Sequence, residues 1–235
     1  MLRDEIIRFA RSYSFEEGHS FQDERLALRL FDETARLGLH ALAEVEPPAG
    51  ELRPRALLSA AALLHDIGYV VGYEQHHKTA FRLITENPIP GLAPRSQMLI
   101  AHIARYHRGS TPDPANHAAF AALPSGDQQL VTQLGAILRF ADGLDRSHTD
   151  AVQDLRCALD GRQLAVTLLP GEGDEVERFA GQKKARWFES VFEVSVQLKW
   201  TAKTQRAPRL RLYMRFAYFA SSRFNVSRYS PNTLR

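Results

Sequence analysis

Residues Leu57 to Lys78 read LLSAAALLHDIGYVVGYEQHHK. The first half is apolar on every face of a helix, which predicts a segment running through the middle of the molecule. That segment ends in His65 and Asp66. An ionised carboxylate at such depth costs on the order of several kcal/mol unless it is protonated, paired with a cation or bound to a metal. His65 beside it, with His76 and His77 beyond a glycine-containing turn, makes a metal the leading resolution. Cys157 is the single cysteine, so thiolate clusters and an intrachain disulfide are excluded, and imidazole and carboxylate would have to hold the ion.

Working outward, Pro54 suits the first turn of this helix and Gly68 suits its end. Upstream, Glu16 to Ala43 reads as a long helix with Leu26, Leu30 and Leu37 on one stripe. Continuing that stripe back by seven residues turns His19 toward the core. Downstream, a helix from His76 to Asn87 places His77, Ala80, Phe81 and Ile84 at i, i+3, i+4, i+7, so His77 is expected on the buried face, while His76, in line with Ala80 and Leu83, is a less clean match. A helix from Ala93 to Arg108 places Ile100, Ile103, Ala104 and His107 on one stripe, with His102 on another. A fifth, Asp127 to Arg146, carries Asp142 at the edge of its apolar face. His148, just beyond it, reads as a surface residue.

The pattern changes after Asp150. Two strand-like runs, Val152 to Leu159 and Gln163 to Leu169, meet at an Asp160-Gly161 hairpin signal, followed by a helix from Glu175 and an alternating strand to Trp200. The expected fold class is therefore mainly α: a helical bundle over residues 1–150, a small α+β appendage over 151–200, and a basic tail over 201–235 without a clear period and open to disorder. That tail holds eight Lys or Arg and no acid, and the preceding 200 residues carry more acid than base, 27 against 22. The net charge of +3 thus points to nothing beyond weak nucleic-acid binding by the tail. No membrane-length apolar run is present, and the charged first fifteen residues do not read as a signal peptide, so a cytoplasmic protein is expected. Homodimerisation is left open.

Collected together, the inward-facing polar residues are His19, His65, Asp66, His77, His107 and Asp142. Several helices each bury a costly group, and those costs are offset only if the groups converge. Without thiolate the set suits Mn, Fe, Co, Ni or Zn, with Mg at an oxygen-rich position. Six candidates exceed the needs of one tetrahedral ion, so one or two divalent ions are expected.

His19, His65-Asp66 and Asp142 resemble the H…HD…D signature of the HD-domain metal-dependent phosphohydrolases. The segments ALLHDIGY (62–69), HHKTAFRLI (76–84), IPG (89–91), LIAHIARYHR (99–108) and LRFADGLDRSH (138–148), in this order, are similar to the C-terminal helical region of the exopolyphosphatase / guanosine-pentaphosphate phosphatase family. The resemblance covers most of residues 10–200 and not that family's N-terminal actin-like pair of domains. It implies an HD-type bundle in which His19, His65, Asp66 and Asp142 hold a first ion, while His77 and His107 hold a second or touch substrate. The ion would acidify water and stabilise charge developing on phosphorus. Asp66 would bridge two ions or orient the nucleophile, and Lys78, Arg105, Arg108 and Arg146 would hold phosphate oxygens. The implied activity is hydrolysis of a phosphoester or phosphoanhydride in a nucleotide, a guanosine polyphosphate or polyphosphate. The alternative is a non-catalytic module that binds a phosphorylated ligand, or a partner protein, around a structural ion.

Overall fold

The computed structural model describes residues 2–13, 15–170 and 175–201; the basic tail lies outside them, apart from Thr201. Its centre is α3, Pro54–Leu64, with proline in the first turn. Leu57, Leu58, Leu63, Leu64 and the alanines between them are almost wholly buried, as the all-round apolar pattern requires. Around it pack α1 (Leu2–Arg11), α2 (Glu17–Arg36), α5 (Pro94–Arg105) and α7 (Ser125–Asp142). α4 (His76–Glu86) lies against α5, and the single-turn α6 (Ala118–Ala121) precedes α7. The mainly α architecture is as expected.

Helix ends position the polar residues. α3 stops at Leu64, four residues short of the expected stop, with His65 capping it and Asp66 at φ −107°, ψ 4° beyond the helix. A short 3₁₀ turn, Ile67–Val70, follows. Within a continuous helix adjacent side chains point about 100° apart. Breaking the helix here allows two consecutive residues to serve one site. Gly68 has a different role from ending the helix: a Cβ there would lie 2.0 Å from the His76 carbonyl oxygen and 2.8 Å from the Ala80 nitrogen. Only glycine admits the first turn of α4 so close to the end of α3.

The appendage forms as a three-stranded sheet in the order β1 (Val152–Asp160), β2 (Gln163–Pro170), β3 (Ser195–Trp200). β1 and β2 are antiparallel, while β3 returns parallel to β2 through α8 (Glu175–Phe192), because the helix carries the chain back across the sheet. The outer edge of β1 would expose unpaired backbone. Side chains of α2 occupy it: Gln22 donates to the Val152 carbonyl at 2.6 Å, Arg29 to Leu155 at 3.1 Å, and Glu33 accepts from the Cys157 amide at 2.8 Å. α8 packs along α7, which brings residues of the α+β part beside the end of the helix carrying Asp142.

Candidate metal centre and its basic groove

Four histidines share one orientation. His65 and His107 each direct Nδ1 at the carbonyl three residues earlier, Ala62 and Ala104, both at 2.7 Å. His76 Nδ1 lies 2.9 Å from the Tyr73 carbonyl, and His19 Nδ1 lies 2.8 Å from Asp145 Oδ2. Carbonyl and carboxylate oxygens can only accept, so every Nδ1 carries a proton, and Nε2 is the ring nitrogen that each histidine turns inward. That is the second-shell arrangement found behind metal-ligating imidazoles.

The Nε2 atoms converge with carboxylates. One ligand atom each from His19, Asp23, His65 and Asp142 lies within 4.8 Å of the others, and the same holds for His65, Asp66 and His107. Asp66 joins the two groups: its Oδ1 is 3.2 Å from His76 Nε2 and 3.4 Å from His107 Nε2, while its Oδ2 is 3.4 Å from His65 Nε2 and 3.7 Å from His19 Nε2. Both Asp23 oxygens, with Nε2 of His19 and of His65, are buried and have no hydrogen-bond partner among the described residues. Orphaned buried groups of this kind are costly, and a cation placed among them would satisfy them all. The donor set is nitrogen and oxygen without sulfur and fits a borderline divalent ion.

Burial and the clustered charges pull the titratable groups of the site in opposite directions. Burial pushes His19 toward neutrality, but Asp23, Asp145, Asp142 and Asp66 outweigh it and raise its pKa to about 10. Burial drives Asp23 well above the usual carboxylate range. Asp66 is held below that range, because the imidazoles of His65, His76 and His107 outweigh its desolvation. Desolvation lowers the pKa of His65 and of His107.

The expected residues separate. His19, His65, Asp66, His107 and Asp142 come together. His77 does not join them: it is half-buried, with its ring 6.3 Å from that of His107, and burial lowers its pKa to about 4. His76 takes that place because α4 starts from a left-handed Gln75, which sets His76, Ala80 and Ile84 on the buried face at spacing four. Lys78, two residues beyond His76, is on the far side and exposed. Arg105 lies over the rings of Phe81 and Tyr106, at 5.4 and 5.6 Å, on the stripe of His102. Neither Lys78 nor Arg105 lines the cavity at the cluster.

That cavity, of about 610 Å³, opens over His19, Asp66, His76, His107 and Asp142. Arg108 and Arg146 line it as expected, and Arg139, Lys183, Lys184 and Arg186 line it as well. His148 is not an idle surface residue: its ring stacks on His19 at 3.7 Å between centroids, and its Nδ1 lies 2.9 Å from Glu16 Oε2.

A family model described as Ppx/GppA phosphatase, domain III, matches residues 3–171, well over half of the sequence. The chain belongs to this family. The match to Ppx/GppA domain III spans the bundle and the first hairpin, including the residues of the buried histidine and aspartate cluster. A guanosine-5'-triphosphate,3'-diphosphate pyrophosphatase of Pseudoalteromonas translucida (strain TAC 125) is 32% identical over 88 residues. That match spans 37% of this chain and 17% of the relative.

Asp23, Asp145 and Lys184 join the cluster without having been singled out in the sequence, and His76 joins it after ranking below His77. Asp23 had a signal, since it follows His19 by one turn and precedes Leu26 on the same stripe. Lys184 had none, because it arrives on α8 from a different part of the fold.

Proposed function

We propose that this Ppx/GppA domain III chain is a metal-dependent phosphohydrolase of HD type, acting on a phosphoester or phosphoanhydride of the guanosine polyphosphate or polyphosphate class. The single observation that carries the reading is the shared orientation of four buried histidines. Each Nδ1 is tied to an oxygen and each Nε2 turned toward unpaired carboxylates. The family and the name of the pyrophosphatase relative support the phosphate chemistry.

In this reading His19, Asp23, His65 and Asp142 hold one divalent ion, and Asp66, His76 and His107 hold a second or complete the first. A bound divalent ion acidifies water and stabilises negative charge developing on a phosphoryl group. The protein supplies the rest. Asp66, with an oxygen toward each group, aligns the nucleophile with the phosphorus. Arg108 and Arg146 bind non-bridging oxygens, and both offer several fixed N–H donors suited to phosphate. The surplus of cations in the groove favours substrates with more than one phosphate over neutral esters.

The test is turnover. Chain loaded in turn with Mn, Co, Ni and Zn is assayed for phosphate release from polyphosphate, guanosine tetra- and pentaphosphates and nucleotide monoesters. The reading expects release with at least one metal, and its loss in His65→Ala and Asp66→Ala. Release that survives both substitutions, or none from any metal and substrate, would leave a ligand-binding module with a structural ion.

A further inference from the structure

Asp142 is shared between two cations' territories. Its Oδ1 faces the cluster, 3.9 Å from His19 Nε2, while its Oδ2 is ion-paired with the ammonium of Lys184. Burial alone would raise the Asp142 carboxyl, and Lys184, with His107, His65 and His19, holds it below the usual carboxylate range. Lys184 lies on α8, outside every segment that carries the ligands. Its position is built. A Cβ on Gly143 would meet the Gly181 Cα and the Lys184 Cβ at 3.0 Å, and one on Gly181 would meet Leu144 at 2.6 Å. The end of α7 and the first half of α8 therefore cross through two glycines, and this close crossing puts the lysine stem against Asp142. The Lys184 side chain remains 23% exposed against 10% for Asp142, and it lines the groove with Arg108 and Arg146. Its head is thus in contact with a ligand on one side and with the substrate space on the other.

We infer that Lys184 is an exchangeable counter-ion of the site: it neutralises Asp142 in the metal-free chain, opposes metal entry, and once a metal is bound offers its ammonium to a phosphoryl oxygen. The inference rests on the metal-centre reading above. It assigns to the α+β part a role in phosphate binding that the ligand pattern does not contain. A lysine is suited to it, being a compact charge on a flexible stem that can turn from a carboxylate to a phosphate while staying near both.

The two halves of the role predict shifts of opposite sign. Calorimetric titration with Mn²⁺ alone gives the metal affinity, and inorganic phosphate added to Mn-loaded protein gives the anion affinity. Lys184→Met should bind Mn²⁺ about tenfold more tightly and phosphate about tenfold more weakly, a single nearby charge being enough for changes of that size. Lys184→Arg should restore both, and Lys184→Gln, which keeps a donor toward Asp142, supplies the uncharged comparison if the methionine variant does not fold. Weakening of both affinities would reduce Lys184 to a structural ion pair and overturn the inference. So would unchanged phosphate binding. If the unsubstituted chain takes up no Mn²⁺ at all, the metal reading fails first and this inference with it; uptake by all variants with equal affinities overturns the inference alone.

Discussion

His19 Nδ1 lies 2.8 Å from Asp145 Oδ2, joining residues 126 positions apart deep inside the helical body. The bond fixes the orientation of the one histidine on α2, and Asp145 is fully buried in the 3₁₀ turn that continues α7. Asp145→Asn keeps the shape and removes the charge. Metal affinity, measured by competition with a chelator, should fall by about 10- to 100-fold, the usual effect of removing an outer-shell partner. An unchanged affinity would show that the orientation of His19 does not depend on Asp145.

The pKa of His19, raised from 6.5 to about 10, sets a pH dependence. A group raised in the folded state contributes stability that is fully present below about pH 6.5 and is lost as pH rises through about 10. A metal must displace that proton from Nε2. Metal uptake between pH 7 and 9 should therefore release protons, seen as a buffer-dependent heat in calorimetry, and the apparent affinity should rise with pH across this window. Uptake without proton release would contradict the charge state assigned to His19.

His76 and His77 are adjacent and differ in what they face. His76→Ala removes an Nε2 that lies 3.2 Å from Asp66 Oδ1, and should lower the metal content of the purified protein. His77→Ala removes a half-buried ring outside the cluster and should leave the content unchanged. Metal analysis of both proteins decides it, and the reverse ranking would restore His77 as a ligand.

Gly68→Ala places a methyl group 2.0 Å from the His76 carbonyl oxygen. Backbone must move, at a cost of about 1–3 kcal/mol. A lower thermal midpoint together with a reduced metal content is expected, because the displaced turn carries His76. A variant as stable as the parent would mean that α4 is free to shift.

Much of this could be read from sequence. The all-round apolar run of α3 located the centre of the bundle, and the i, i+3, i+4, i+7 spacing behind His107 selected it over His102, whose ring packs among Phe81, Tyr106 and Phe120. The errors came from helix ends. A stripe drawn through α4 assumes a start, and the left-handed Gln75 sets that start so that the face rotates from His77 to His76. Arg105 and Arg108 look equivalent in sequence, yet α5 ends at Arg105, which points one toward aromatic rings and the other into the groove. Lys184, Arg186 and the cover that α2 gives to β1 depend on contacts between distant segments, which no local period encodes.

The proposed function requires a divalent ion among the buried imidazoles and carboxylates. Anomalous diffraction from crystals of Mn- or Zn-loaded protein, collected at the metal's absorption edge, tests it most directly. The expected result is a peak bonded to Nε2 of His19 and His65 and to the carboxylates of Asp66 and Asp142. A loaded crystal whose anomalous peaks lie only at the surface, with the cluster empty of any ion, would contradict it.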